Sequence, residues 1–407
     1  MEFSGKESRR LKSVDREEIV RIQRFVSEGP ALAYDSNGKV LFVRYVLPGE
    51  LVRVKVYKEA KDYAMADPLQ IVEPSPLRIK PECPYFSLCG GCDYQMIDYK
   101  EQISLKKQLV EKIFFQITGQ KILLTGILES PLHFRYRNNM TYKVTPHKKT
   151  AGFFRKDSKS VVDIEKCLLE MPKITEAFCS VKMQNSNELP FPPHNFKVRS
   201  STIGDTSVYW IPSNYPDTHV YEEITVYGKT IRFKISKDSF FQVNSFLVPL
   251  WLEKIISFLD QSHNERIIDL YCGIGLITLF VSYYARETIG VEIAKSSVLD
   301  ANSNLEINDI KSNVKFILGD AGEILSAIGF ADVIIVDPPR AGMDEQTRNL
   351  LLQHLPKKII YSSCKASTMA RDIDILSSHY ELQELWLVDM FPQTYHVELL
   401  ALLVHKS

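Results

Sequence analysis

From residue ~245 onward the chain falls into a rhythm that few folds accommodate. Apolar runs at 266–271, 288–292, 314–318, 333–336 and 358–362 alternate with segments of helical spacing. Strands read as such continuous apolar runs when both of their faces are buried, and the intervening helices supply the cover. Parallel strands joined by helical crossovers make a doubly wound α/β sheet, which binds ligands at the carboxyl ends of its strands. Two more apolar runs, at 382–390 and 397–404, give the sheet a β-rich end.

The predicted strand ends carry a pattern. The first runs into Asp269-Leu270-Tyr271-Cys272-Gly273-Ile274-Gly275. Glycines such as Gly273 and Gly275 let a ligand approach the backbone closely. The second ends at Glu292, where a carboxylate can accept from both hydroxyls of a ribose. The third closes on Gly319-Asp320, suited to an adenine amino group. Each residue alone has a plainer reading as a tight turn or a strand-end cap. Three successive strand ends bearing Gly, Glu and Asp fit S-adenosylmethionine better than a dinucleotide, because no phosphate has to be cradled. Cys272 reads as packing behind the turn.

Downstream stand Asp337-Pro338-Pro339-Arg340, then Ser362-Ser363-Cys364 at the end of an apolar run, then His396-Val397-Glu398. A thiol, a carboxylate and a loop of this kind suit methyl transfer to carbon 5 of a pyrimidine. That carbon is a poor nucleophile until a thiolate adds to carbon 6. Cys364 is then the nucleophile and Glu398 the base that removes the carbon 5 proton, its proton affinity raised by apolar surroundings. Asp337 orients the ring or the cofactor, and Arg340 holds a carboxylate or phosphate. Singly, each has an ordinary structural reading: an inert buried thiol, an outward-pointing Glu, a loop. The ordered set beyond the cofactor turn points to chemistry.

The first half is organised differently. Residues 14–75 read as a small β-barrel, with strand-like runs at 40–46 and 50–56 preceded by turn signals. The first run is apolar enough for burial on both faces, and a five-strand barrel of this size suits oligonucleotide binding. A linker at 73–76, a cysteine-rich knot and a helix over 99–118 follow. Residues 125–235 mix short strands with loops, including a Pro-rich stretch at 189–193. The domains expected are 14–75, a central domain at 76–238, and the doubly wound domain at 239–407.

Cys83, Cys89 and Cys92 form C-x5-C-x2-C, with Cys167 a plausible fourth ligand. Four thiolates suit zinc, but zinc sites usually come as two close pairs. Three close cysteines and a distant fourth favour a 4Fe-4S cluster. Cys179 reads as structural. Net charge is zero, so overall charge makes no case for nucleic acid, yet residues 77–160 hold 15 Lys and Arg against 7 Asp and Glu. No run is long enough to span a bilayer, and the first residues lack a secretory apolar core. The expectation is a cytoplasmic protein with reduced, metal-bound or catalytic thiols.

With these motifs together, the chain resembles the RNA uracil-5-methyltransferases, in particular the bacterial 23S rRNA branch that carries an iron–sulfur cluster. The resemblance rests on the barrel, the cysteine knot, Ser239-Phe240-Phe241-Gln242-Val243-Asn244, DLYCG, VDPPR, SSC and HVE. It implies a TRAM-type barrel and a class I S-adenosylmethionine-dependent methyltransferase domain, in a monomer acting on RNA. It implies Gln242, Tyr271, Glu292, Asp320 and Asp337 around the cofactor, Cys364 as nucleophile and Glu398 as base. Phe240 would stack on the flipped uracil, and the helix near 100–118 would pack on the catalytic domain. Two positions depart from the family: Leu276 where Asn is frequent, and Cys364-Lys365-Ala366 where Cys-Asn-Pro is common. Three competing functions are a tRNA T-loop uridine methyltransferase, a cytosine-5 methyltransferase and a non-catalytic RNA-binding iron–sulfur protein.

Overall fold

The computed structural model describes residues 11–26, 29–145, 150–156, 158–187, 195–211, 218–260, 262–310 and 313–406, so the Pro-rich 189–193 stretch lies outside the described residues. The chain divides into two compact units. One comprises the chain up to Leu109, with Phe153–Val162 and Pro392–His396. The other comprises Val110–Gly152, Asp163–Phe391 and the chain from Val397.

The smaller unit is built on a six-stranded sheet, in the order Lys12–Arg21, Leu51–Glu59, Tyr63–Glu73, Val40–Val43, Ala31–Tyr34, Arg24–Phe25. Alternation decides the faces. Val52, Val54 and Val56 are fully buried, while Arg53 and Lys55 between them are exposed. The periodicity suggests five strands. The sixth, Arg24–Phe25, is two residues long and too short to leave a periodic trace. Val40–Val43 buries Leu41 and Val43 but leaves Val40 and Phe42 half-buried, so only one of its faces is closed. The linker is tethered: the buried Glu50 accepts Ser75 N at 3.1 Å and both Nε and Nη2 of Arg78, at 2.5 and 2.7 Å.

The larger unit contains an eight-stranded sheet. Its order is Val314–Leu318, Glu287–Glu292, Arg266–Leu270, Val333–Val336, Lys358–Ser363, Glu398–His405, Tyr380–Val388, Gly126–Leu128. The first five run parallel, and Glu398–His405 enters antiparallel to both of its neighbours. The direction of progression reverses between Arg266–Leu270 and Val333–Val336, which opens a crevice at their carboxyl ends. Ile267, Ile268, Val333, Ile334, Ile335, Val336, Ile359 and Ile360 are all fully buried, as double-sided cover requires. Gly126–Leu128 was not legible as a strand of this sheet: three half-buried residues carry no period.

The hairpin His219–Val226/Lys229–Ser236 is sealed at one edge by a helix rather than a strand. Helix Lys295–Ile307 and its cap present Asp300, Asn304 and Asn308. Ser236 N, Lys234 N and Arg232 N donate to them at 2.8, 2.6 and 2.8 Å. Four helical residues rise about 6 Å and two strand residues about 6.8 Å, so the two spacings nearly match. Helix Tyr99–Thr118 contributes Val110 and Phe114 to the core that also holds Ile268, Val336 and Leu387. Among the described residues, no helix is long and apolar enough to cross a membrane.

Candidate active site

Register brings the proposed chemistry to one corner of the sheet. Val336 pairs with Tyr361, so Asp337 emerges beside Ser362. Ser363 pairs with Leu399 in the antiparallel ladder, and the same register one step further sets Cys364 across from Glu398. Asp337, Cys364 and Glu398 therefore sit at the mouths of three adjacent strands.

Glu398 is buried, and its Oε1 accepts the Ser362 hydroxyl at 2.9 Å. Burial lifts its proton affinity well above the ordinary carboxylate range, the charge of Asp337 adds to this, and the Ser362 hydroxyl opposes it. Asp337 is pushed up to about 6 by burial, again with Ser362 pulling the other way. One hydroxyl thus serves two carboxylates. The sequence reading missed Ser362, because a buried Ser beside a Cys has no spacing signal of its own. Cys364 is half-buried and its thiol is pushed up to about 11, by burial first and then by the charges of Glu398 and Asp337; Arg340 draws it back down. Arg340 is exposed.

The Ser239–Asn244 segment is clamped from behind. Arg199 Nη1 and Nη2 donate to Ser236 O and Ser239 O at 3.0 and 2.9 Å. Asn138 Nδ2 donates to Gln242 O at 2.8 Å and to Ser245 Oγ at 2.9 Å. Held this way, the segment buries Phe241 and leaves Phe240 65% exposed. An aromatic side chain exposed to that extent on a fixed backbone is an available stacking surface. Gln242 Nε2 reaches Asp337 Oδ2 at 3.5 Å.

The glycine turn lies at the reversal point. Tyr271, Gly273 and Gly275 have φ of +63°, +56° and +84°. A Cβ on Gly273 would meet nothing within 4 Å, so the backbone there faces open space; one on Gly275 would lie 2.6 Å from Phe316 Cζ. Gly273 is therefore the point of close approach, and Gly275 is required by packing as well as by its φ. Glu292 accepts Gly273 N at 3.0 Å and Ala294 N at 2.7 Å, and each oxygen keeps a second acceptor position for a hydroxyl. Asp320 caps helix Ala321–Ile328, taking Gly322 N at 2.9 Å. Beneath the turn, buried Asp269 accepts the Thr278 hydroxyl at 2.5 Å and is pushed up to about 7 by burial. The family departure at Leu276 is buried in the core. At the other departure, Ser363 Oγ accepts Lys365 N at 3.2 Å and closes the turn after Cys364.

The cysteine motif is a set of tight turns, with Cys89 N on Tyr85 O at 2.8 Å, and Gly90 N ties it to the distant Phe154 O at 2.9 Å. All four cysteines are half-buried thiols. Burial raises the Cys83 and Cys89 thiols, partly offset by backbone N–H groups directed at each sulfur. Cys83, Cys89 and Cys92 belong to the smaller unit and Cys167 to the larger. Among the described residues, no group of three or more His, Cys, Asp or Glu side chains is arranged to hold a metal ion. The thiols suit a soft metal chemically.

Comparison with known proteins bears on all of this. Residues 214–406 match the tRNA (uracil-5-)-methyltransferase family, and residues 14–69 match the TRAM domain. An uncharacterized RNA methyltransferase of Aquifex aeolicus is 34% identical, over 91% of this chain and 95% of its own length. Another, from Staphylococcus aureus, is 33% identical over 91% of this chain and 96% of its own length. Among solved structures, the Pyrococcus abyssi tRNA (uracil-54, C5)-methyltransferase in complex with S-adenosyl-L-homocysteine superposes with a TM-score of 0.73. It covers 95% of this chain and 99% of its own at 24% identity, a likeness of fold: a class I methyltransferase with an N-terminal TRAM barrel.

Proposed function

This chain belongs to the tRNA (uracil-5-)-methyltransferase family and is an S-adenosylmethionine-dependent RNA uracil-C5 methyltransferase, and from that premise we propose that it works through a covalent adduct on Cys364. The observation that carries the reading is the register that sets a thiol opposite a buried carboxylate of raised proton affinity.

In the proposed cycle the Cys364 thiolate adds to carbon 6 of the uracil, and the ring electrons move onto the carbonyl oxygen as an enolate. Carbon 5 then attacks the sulfonium methyl, and the cofactor leaves as S-adenosylhomocysteine. Glu398 takes the carbon 5 proton; the freed electron pair re-forms the ring double bond and expels the thiolate. A thiol raised to about 11 is mostly protonated at neutral pH, so Arg340 serves as the counter-charge for its ionised form. Phe240 supplies a stacking surface for a base taken out of its stack. Gly273, Glu292 and Asp320, with Gln242, Tyr271, Gly275 and Asp337, make up the cofactor wall. The barrel at 14–75 and the central residues 76–238 serve RNA capture, ahead of a methyltransferase domain at 239–407.

The proposed substrate is 23S rRNA, supported by the cysteine motif beside the TRAM match. A second reading is tRNA, favoured by the solved relative, which is named for a tRNA uridine. The C-x5-C-x2-C motif with Cys167 is proposed as a 4Fe-4S site on spacing alone, and no step of the cycle is assigned to it. Cytoplasmic location and a monomeric state accompany this reading.

Cys364→Ala tests it. Methylation should be lost while S-adenosylmethionine binding stays within about threefold of wild type, since the cofactor wall is on other strands. Substantial turnover by this variant overturns the mechanism. Mass-spectrometric mapping of 5-methyluridine in rRNA and tRNA, with and without the protein, separates the two substrates.

A further inference from the structure

The segment from Asp337 to Asp344 touches the site along its length. Asp337 meets Gln242, the positive charge of Arg340 favours the ionised form of Cys364, and Asp344 accepts the Tyr271 hydroxyl at 3.4 Å while capping helix Glu345–His354. The middle of the segment, Pro339–Ala341, is exposed. What fixes it lies behind it.

Asp372, on helix Ala366–Leu376, is fully buried. Its Oδ2 accepts Met343 N at 3.1 Å and the Tyr361 hydroxyl at 2.8 Å. Its Oδ1 accepts Arg348 Nη1 at 3.2 Å and Arg371 Nε and Nη2 at 2.9 and 2.6 Å. The two guanidiniums grip the same turn from its carbonyl side: Arg371 Nη2 donates to Ala341 O at 3.1 Å, and Arg348 donates to Met343 O. Gly342 sits between them at φ +79°; a Cβ there would lie 2.6 Å from Arg371 Nη2 and 2.7 Å from Asp372 Oδ2. Tyr361 stands on the strand that delivers Cys364, so this one carboxylate is bonded both to the thiol's strand and to the turn beyond Arg340.

Buried ion clusters contribute little net stability compared with apolar packing of the same volume. What a carboxylate with this many donors supplies is a fixed geometry. We propose that Asp372 is a positioning residue for methyl transfer: with Arg348 and Arg371 it sets the Ala341–Met343 turn against the strand that delivers Cys364, and through that turn the place of Arg340. The proposal rests on Cys364 being the nucleophile.

Two variants test it. Gly342→Ala pushes the turn away from Asp372 without changing a charge. Arg371→Gln removes the Ala341 O contact through a side chain that is 43% exposed, so the fold should tolerate it. For each, kcat and both KM values, thermal unfolding, and the pH dependence of Cys364 alkylation by iodoacetamide are measured, with the modified peptide followed by mass spectrometry. The expected result is a kcat lowered by at least about tenfold, as for a displaced positioning group, with KM for the cofactor within about threefold. The alkylation inflection should move to higher pH, because the Arg340 charge is displaced from where it favours the thiolate. Folded variants with wild-type kcat overturn the proposal, and so does a lower kcat with an unchanged alkylation profile. Cys364→Ala is run alongside. Turnover there removes the nucleophile reading, while the alkylation profiles still decide where Arg340 stands.

Discussion

Replacing Ser362 with Ala removes one hydroxyl and leaves every other group of the site in place. In the native protein that hydroxyl donates to Glu398 at 2.9 Å and also favours the ionised form of Asp337. A hydrogen bond to a charged acceptor contributes about 1.5–3 kcal/mol, and one pKa unit corresponds to about 1.4 kcal/mol. The proton affinity of the carboxylate pair should therefore rise by about one to two units, divided between the two groups. The sign follows from the role. Glu398 must be ionised to take the carbon 5 proton, so activity is lost as pH falls through the pair's titration. Both carboxylates are already raised, and without Ser362 they hold their protons to still higher pH. The acid limb of the pH–rate profile should move up by about one unit or more, with the alkaline plateau largely retained. The assay is single-turnover release of methylated RNA from about pH 5 to pH 9, with unfolding midpoints measured at each pH to exclude loss of fold. An acid limb that stays in place or moves down refutes the assignment of Glu398 as the base held by Ser362.

Asn304→Ala leaves Lys234 N, Lys234 O and Ile274 O without their side-chain partner. It should cost about 3 kcal/mol in denaturant titration and weaken S-adenosylmethionine binding in calorimetry, since Ile274 lies in the glycine turn; unchanged stability contradicts the edge-sealing role. Asp269, raised to about 7 when folded, holds its proton where the unfolded chain has lost it. Its contribution to stability therefore falls as pH rises from about 4 to about 7, and Asp269→Asn should flatten the stability–pH curve over that window. Deleting residues 1–75 should weaken RNA binding and reduce its salt slope, whereas Phe240→Ala should lower turnover more than affinity; equal affinity and slope in the truncated protein remove the barrel from RNA capture. Protein purified anaerobically should contain iron and sulfide that Cys89→Ser loses, and stoichiometric zinc without iron replaces the cluster with a zinc site.

The parallel half of the catalytic sheet was legible because burial on both faces forces continuous apolar runs, and 333–336 and 358–362 are such runs. Strand Gly126–Leu128 was not, since an element that short is defined by its neighbours rather than by a period of its own. At the site, Cys364, Asp337 and Glu398 stood out by chemistry and order, and the structure supplies their adjacency through register. The supporting groups left no trace. Ser362, Asn138 and Asp372 act through bonds to residues 36, 104 and 29 positions away. Contacts at such separations are written in the fold, not in local spacing. The cysteine motif is the converse case: C-x5-C-x2-C is a clear local pattern within one unit, while Cys167, 75 residues on, belongs to the other.

Covalent catalysis by Cys364 is best tested by trapping its intermediate. Glu398→Gln is incubated with RNA and S-adenosylmethionine, denatured, digested and mapped by mass spectrometry. Cys364 should be found in a peptide joined to a methylated uridine, because addition and methyl transfer proceed while loss of the carbon 5 proton does not. An adduct on any other residue, or product formation without an adduct from both Glu398→Gln and Cys364→Ala, contradicts it.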